Sequence, residues 1–169
     1  MTWRGSTTPL DRVFACLVYL LPLIEAVLFY GSPFFRQFPE LTILLIPLQP
    51  FIFVYQLFVG LFAFGGISLG GLIIFFGLYF LVVRNESIRH FVRFNTMQAI
   101  MLGIAMSLFG VVWIYIFEPF MGGGLIEETL FNVIFLGTVI AVVYSIVQSV
   151  IGRYAEIPTL SDAVYMQVR

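Results

Sequence analysis

The sequence contains no lysine, one cysteine and one histidine, and only 10% of its 169 residues are charged. A single cysteine, Cys16, excludes a disulfide within the chain, so cysteine usage indicates no redox compartment. The net charge is −1, and no basic cluster of nucleic-acid size occurs, which excludes DNA or RNA as a partner. Cys16 and His90 lie far apart with no catalytic or ligand motif around either. We therefore predict no enzymatic activity, no cofactor and no metal site.

Long polar stretches are also absent, and 61% of the residues are hydrophobic. Soluble domains carry roughly 25% charged residues, so this composition predicts an all-α integral membrane protein with one membrane domain over residues 1–169. The first apolar run starts at Val13, is too long for the core of a signal peptide and has no small-residue cleavage site after it. We expect it to be a retained span, with no transit peptide before it.

Four apolar runs are long enough to cross the roughly 30 Å of hydrocarbon, which takes about 20 residues of helix. They are residues 13–30, 64–83, 94–117 and 129–151. A further apolar stretch, 41–62, contains Pro47 and Pro50, which interrupt the hydrogen bonds of a lipid-exposed helix. We expect this stretch to lie in the interface or to re-enter the membrane without crossing it.

The distribution of arginine supports four crossings. If residues 41–62 do not cross, Arg36 alone lies on one side, and the other side holds Arg4, Arg12, Arg84, Arg89, Arg93, Arg153 and Arg169. If those residues also cross, the best division is less uneven. Because cytoplasmic loops carry the excess of arginine, the sequence predicts four spans with both termini cytoplasmic or stromal.

Small residues recur at spacings of three and four in three predicted spans, which places them along one stripe of each helix. The stripes are Gly66, Gly70 and Gly77 in the second span, Asn95, Ala99, Gly103, Ser107 and Gly110 in the third, and Gly137, Ala141, Ser145, Ser149 and Gly152 in the fourth. Small residues let helix backbones approach closely in lipid, so we interpret the stripes as helix contacts. A path lined by glycine and serine, along which a chain could slide, is the alternative.

The first span contains Pro22 and Glu25, about one helical turn apart. An ionisable side chain within a span is a functional candidate, because lipid exposure costs it a few kcal/mol. Glu25 lies past the midpoint of the span, so hydration near the outer interface and an ion pair with Arg36 are structural alternatives. We keep Glu25 as a candidate functional residue with both alternatives open.

The stretch RHFVRFNTMQ, residues 89–98, places polar side chains directly before a strongly apolar run. Asn95 followed by Gln98 has the spacing of a capping pair at a helix start, and Arg89 and Arg93 are spaced to reach cytoplasmic headgroups. The polar run is longer than a cap needs. A contact surface at the cytoplasmic mouth, for a partner or a passing chain, is therefore the second hypothesis.

Three segments resemble the Tic20 family, a membrane component of the translocon at the chloroplast inner envelope, with cyanobacterial and plastid-encoded relatives. They are RVFACLVYLLPLIEAVLFYG from Arg12, VVRNESIRHFVRFNTMQAIML from Val82 and EIPTLSDAVYMQVR from Glu156. The resemblance extends over nearly the whole chain from about residue 10. It implies four membrane helices, both termini on the stromal or cytoplasmic side, and a role in a protein-conducting path within a larger complex.

The resemblance also points to particular residues. It assigns functional weight to Arg84, Asn85, Arg93, Asn95, Met97 and Gln98, to Pro22 in the first span, and to Pro158, Asp162 and Gln167 in the tail. Relatives carry an acidic residue early in the third span where this chain has Gly103, so no mechanism here uses an acidic group at that position.

We therefore expect a membrane subunit of a protein translocon that contributes to a protein-conducting channel by oligomerisation or with partner subunits. A bundle of four helices leaves no aqueous hole for a polypeptide, so one copy does not conduct by itself. A membrane assembly or scaffold protein without a pore is the alternative, and a small-solute transporter is a weaker one, since no inverted repeat is evident. Expected partners are the lipid bilayer, further copies or other membrane proteins, and translocating polypeptides. The expected location is a bacterial plasma or thylakoid membrane, or the plastid inner envelope.

Overall fold

The computed structural model describes residues 7–64, 67–121, 123–158 and 160–168. Its helices are α1 (Pro9–Leu17), α2 (Leu20–Tyr30), α3 (Ser32–Gln37), α4 (Gln49–Leu61), α5 (Gly70–Leu78), α6 (His90–Val112), α7 (Glu118–Met121), α8 (Leu125–Ile151) and α9 (Leu160–Gln167). A 3₁₀ stretch, Pro39–Leu48, leads into α4, and wider π-helical turns extend α5 over Tyr79–Val83 and α6 over Trp113–Phe117. Two short strands, β1 (Ala63–Phe64) and β2 (Ile67–Ser68), pair antiparallel between α4 and α5.

Within the described residues, four helical stretches are long and apolar enough to cross a membrane: Pro9–Tyr30, Pro39–Leu61, His90–Met121 and Leu125–Ile151. The prediction of an all-helical membrane protein with four such helices is confirmed. Three of them match predicted spans and begin four residues earlier than predicted. The second covers the stretch that we expect to lie in the interface or to re-enter the membrane, and that placement stays a prediction. The predicted span 64–83 is helical only from Gly70.

The helix of the predicted span 64–83 therefore begins six residues later than predicted and ends at Val83 as predicted. The helical part, Gly70–Val83, covers only about 20 Å at 1.5 Å per residue. Two prolines of the preceding helical stretch, Pro39–Leu61, stand at different kinds of position. Pro47 lies in the 3₁₀ stretch and Pro50 in the first turn of α4, where the missing N–H is unpaired in any helix.

The strand pair lies between α4 and α5, whose adjoining ends are close together. An added Cβ at Gly70 would lie 2.5 Å from the Cα of Val59, so the two backbones are in direct contact there. Ser68 Oγ donates a hydrogen bond to the carbonyl of Val59 at 2.9 Å. Tyr55 Oη donates to Glu25 at 3.2 Å, which places this end of α4 beside α2. The start of α5 thus lies close to Glu25 and the first span.

The first span, Pro9–Tyr30, consists of two consecutive helices, α1 and α2. Thr8 caps α1 by accepting a hydrogen bond from the amide of Asp11, whose carboxylate accepts one from the Thr8 amide. Pro22 has no amide hydrogen for the carbonyl of Val18, and α1 and α2 are separated by a looser turn at this point. The turn positions Tyr19 with its side chain fully buried.

Side-chain contacts bring three parts of the chain together at one end of the bundle, called the near end below. Arg89 forms an ion pair with Asp11 at 3.0 Å, which joins the start of α6 to α1. His90 Nδ1 lies 3.0 Å from Tyr154 Oη in the C-terminal tail. The N-terminal segment, the start of α6 and the tail therefore share this end.

The opposite, far end is marked by the ion pair between Arg36 and Glu128, at 3.3 Å. The alternative pairing of Glu25 with Arg36 is thus wrong, because Arg36 binds a carboxylate on α8 instead. Within the described residues, Arg36 is the arginine of the far end, as the uneven division of arginine predicted. Arg4 and Arg169 lie outside the described residues. Which side of the membrane each end faces stays a prediction.

The C-terminal helix α9 folds back onto α6 near its start. Their contact is an apolar cluster that also includes the end of the α5 extension. Its buried members are Val83, Phe94, Met97, Ile100, Val164 and Val168. The tail is therefore an integral part of the bundle at the near end.

The buried face of α8 is formed by Phe135, Thr138, Val142, Ser145 and Ser149. The predicted stripe shares Ser145 and Ser149 with it, whereas Gly137 is exposed and Ala141 half-buried. A Cβ at Gly137 would meet nothing within 4 Å. Each step of four residues turns a helix about 40° beyond a full turn, so a stripe made of such steps leaves the buried face. Gly152 ends α8 in the left-handed conformation, at φ 82°.

In the predicted stripes of the other two helices, too, some residues make helix contacts and others do not. Ala99 is buried against Tyr19 and Val142, and Gly70 contacts α4, as helix contacts require. Gly77 lacks such a contact, since an added Cβ there would meet nothing within 4 Å, and Ser107 is exposed. Gly66 lies outside the described residues.

We predict that both ends of the chain are on the cytoplasmic or stromal side. In a Cys16→Ser background, single cysteines at Glu86 and Gln167 should react with a membrane-impermeant maleimide from that side. A cysteine at Leu125, two residues before Glu127, should react from the other side. All three substituted positions are exposed. Labelling of positions 86 and 125 from the same side would show that the two ends of α6 do not lie across the membrane.

Candidate functional site

A network of buried polar side chains lies in the near half of the bundle. Tyr19 Oη and Ser149 Oγ both donate hydrogen bonds to Asn95 Oδ1, at 2.9 and 3.1 Å. Asn95 Nδ2 donates to the carbonyl of Phe91 one turn earlier, at 2.8 Å. Tyr19, Asn95 and Ser149 are fully buried. One amide therefore links the first span, α6 and α8.

Gln98, one turn further along α6, extends the network to the tail. Its Nε2 donates to Ser145 Oγ on α8 at 3.4 Å, and its Oε1 accepts from Ser161 Oγ at 3.2 Å. Ser161 Oγ in turn accepts from the amide of Ile157 at 2.7 Å, which stabilises the turn before α9. Gln98 is fully buried, so the tail is held partly by a hydrogen bond inside the protein.

Arg93 lies on α6 two residues before Asn95 and faces α5. Its Nε donates to the carbonyl of Val83 at 2.7 Å, and only 9% of the residue is exposed. Val83 is the last residue of the α5 extension, where helix carbonyls have no partner within the helix. The guanidinium therefore attaches the end of α5 to α6, and the prediction that Arg93 reaches headgroups like a surface arginine is wrong.

The capping interpretation of Asn95 and Gln98 is also wrong. α6 begins at His90 with Arg89 as its N-cap residue, so Asn95 and Gln98 stand in the second and third turns. Their amides serve contacts between helices, not the end of one helix. In a bundle surrounded by lipid, a buried amide requires such partners, because no water is present to replace them.

The residues predicted to form one contact surface are divided by the structure. Two of them, Arg84 and Asn85, are exposed at the near end. The other four are buried within the chain: Arg93, Asn95, Met97 and Gln98. The four buried residues therefore act on any partner only through the packing of the bundle.

Sequence reasoning missed Tyr19, Ser161 and Tyr55. The signal for Tyr19 was its position three residues before Pro22, where the helix loosens and a long polar side chain can turn inward. Ser161 was present in the tail motif, but nothing in the sequence indicated that the tail contacts Gln98. The other tail positions named from the resemblance are exposed: Pro158, Asp162 and Gln167.

Glu25 is half-buried on α2 in a different environment, in the far half of the bundle. Its Oε1 accepts a hydrogen bond from Tyr55, and its Oε2 lies 3.2 Å from the place that a Cβ on Gly103 would occupy. Gly103 thus provides the space for the carboxylate. In the described part of the chain, no three His, Cys, Asp or Glu side chains come together as metal ligands do.

The arrangement defines a multi-pass integral membrane protein whose helices are joined by internal polar contacts. A comparison with protein families matches residues 8–164 to the family described as "Chloroplast import apparatus Tic20-like". The chain belongs to this Tic20 family.

Relatives cover most of the chain. A Tic20 family protein of Synechocystis sp. is 48% identical over 159 residues, which are 94% of this chain and 93% of that protein. "Protein TIC 20-II, chloroplastic" of Arabidopsis thaliana is 32% identical over 99% of this chain and 78% of its own length. The Tic20 family protein Ycf60 of Porphyra purpurea is 32% identical over 99% of this chain and 80% of its own length.

We predict that Asn95→Ala destabilises the bundle by about 1–3 kcal/mol, because the hydroxyls of Tyr19 and Ser149 lose their buried acceptor. Unfolding in mild detergent, followed by circular dichroism, measures the change. Gln167→Ala, which removes an exposed amide from α9, is the matched control and should stay within about 0.5 kcal/mol of the parent protein. Equal stabilities of the two variants would show that the network contributes nothing.

We also predict that Ser161→Ala loosens the tail, because Gln98 and the amide of Ile157 both lose a partner. Limited proteolysis should cut residues 153–158 several-fold faster than in the parent protein, with the membrane helices left intact. Met166→Ala is the control on the same helix, since Met166 is 77% exposed. Identical cleavage rates for both variants would contradict the role given to Ser161.

Proposed function

We propose that this protein is a membrane subunit of a protein translocon and that it contributes to a protein-conducting path together with further copies or partner subunits. The observation that carries the proposal is the family match over residues 8–164, since the family is described by the chloroplast import apparatus. The role is non-enzymatic. The membrane is a bacterial plasma or thylakoid membrane, or the plastid inner envelope.

The packing of the bundle supports a path between chains over one through a single chain. The space enclosed by the first span, α6 and α8 is filled by Tyr19, Asn95 and Val142, all fully buried. A polypeptide could pass there only if this network were broken. The conducting surface is therefore on the outside of the bundle.

A long outer surface of the bundle is the stretch Pro39–Leu61. The structure describes all of this stretch, and none of its residues is buried. Beside it lies the opening between α5 and α6, where Leu108 is exposed. We propose that the moving chain and the partner subunits meet this side of the protein.

Site-specific photocrosslinking tests the proposal. A benzoylphenylalanine at Phe53 or Leu108 should crosslink to a polypeptide arrested during passage by a folded domain at its end. The same probe at Ile140, exposed on the opposite side of α8 from its buried face, is the matched control and should crosslink several-fold less. The chain is assayed in the membrane of the cell that makes it.

The result also separates the proposal from a scaffold role. If Phe53 and Leu108 crosslink only to resident membrane proteins and never to the arrested polypeptide, the protein is a scaffold without a path. If Ile140 gives the same adducts as the other two positions, the proposed side of the bundle is wrong.

A further inference from the structure

A cavity of about 430 Å³ opens between α2, α5 and α6 in the far half of the bundle. Most of its wall is apolar, with Leu21 and Ile104 among the lining side chains. Its polar groups are the carboxylate of Glu25 and the hydroxyls of Ser68 and Ser107. The cavity therefore combines one acid and two hydrogen-bonding hydroxyls with an apolar surround.

Glu25 has one oxygen that nothing in the described chain uses. Oε1 accepts from Tyr55, whereas Oε2 faces the space left by Gly103 and forms no hydrogen bond or ion pair with the described residues. Tyr30, the other nearby hydroxyl on α2, donates instead to the carbonyl of Met106 at 2.6 Å. The free oxygen thus points towards the cavity.

No base within the described residues neutralises Glu25. Arg36 is paired with Glu128 at the far end, and Arg93 is held at Val83 near the opposite end. The sequence has no lysine at all. A carboxylate at membrane depth is costly without a partner, so a cation that binds here has to come from outside this chain.

An adjoining cavity of about 630 Å³ shares Glu25, Ser68 and Ser107 and continues towards the far end, where Glu118 and Glu127 line it. Acidic groups along a cleft with low-dielectric walls concentrate cations. The two cavities together therefore give a cation an acidic route from the far end to Glu25.

We propose that Glu25, with the hydroxyls of Ser68 and Ser107, is a binding site for a primary alkylammonium group on an apolar stem. The ammonium donates to Oε2 of Glu25 and to the hydroxyls, and the stem lies against the apolar wall. A lysine side chain on a hydrophobic polypeptide segment presents this chemistry. Only the identification of a polypeptide lysine as the natural source of the ammonium group rests on the proposed function.

The test uses the purified full-length protein in mild detergent with n-octylammonium as the probe. Octylammonium should raise the unfolding temperature in a saturable way, and octan-1-ol at equal concentration should not, since it has the stem without the charge. Glu25→Gln should weaken octylammonium binding at least tenfold, because it keeps the shape of the side chain and its contact with Tyr55 but removes the charge. Glu40→Gln, at an exposed carboxylate, is the matched control and should bind as the parent does.

A second variant keeps the test valid if Glu25→Gln fails to fold. Gly103→Ala places a methyl group beside Oε2 without changing any charge, so it should also weaken binding several-fold. Equal responses to octylammonium and octan-1-ol, or undiminished binding in both Glu25→Gln and Gly103→Ala, would overturn the proposal.

The source of the ammonium is resolved by competition. A hydrophobic helical peptide with one central lysine should displace octylammonium, whereas the same peptide with methionine in that place, or phosphatidylethanolamine in mixed micelles, should not. Displacement by the lipid alone would overturn the polypeptide source. If octylammonium fails to bind while Phe53 and Leu108 still crosslink to an arrested polypeptide, this inference fails and the proposed function stands.

Discussion

The hydrogen bonds of Asn95 and Gln98 are the interactions on which the near half of the bundle depends. Each amide is fully buried, and together they join the first span, α6, α8 and the C-terminal tail. Lipid offers polar groups no substitute partner, so the helices can associate only in the register that pairs these amides with Tyr19, Ser145 and Ser149. A hydrogen bond between membrane helices is worth only about 1 kcal/mol, but several that share two residues act as one unit.

The far half of the bundle is organised differently, because α5 begins only at Gly70 and runs from there to the near end. Its helix, Gly70–Val83, is shorter than the other membrane helices, and its first turn contacts Val59. The near half is consequently closed by side chains, whereas the far half has open cavities around Glu25. The same chain thus combines a rigid support with an accessible acidic group.

Composition and arginine distribution predicted the class of fold and the number of long helices. These two features of the fold depend on the lipid and water around the chain and not on the tertiary packing. Ser145 and Ser149 lie on the buried face of α8, whereas Gly137 and Ala141, earlier in the same series of four-residue steps, do not. Three differences from the structure have physical causes. The start of the helix in the span 64–83 was judged by hydropathy, which does not register the strand pair. The cap at Asn95 was judged by a local pattern that long-range partners override. The pairing of Glu25 with Arg36 was judged without knowing that Arg36 pairs with Glu128.

The strand pair between α4 and α5 bears on the proposal that the protein acts with further copies or partner subunits. Helix from Gly70 to Val83 accounts for about 20 Å of the roughly 30 Å of hydrocarbon, so a crossing here also uses the non-helical backbone before Gly70. Ala63 and Phe64 of that pair are exposed. Non-helical backbone at such depth is tolerated only where protein covers it or where it lines a watery cavity. The cavities beside Ser68 supply part of that surround. The exposed strand pair therefore supports the proposal of further copies or partner subunits, as the filled interior of the bundle does.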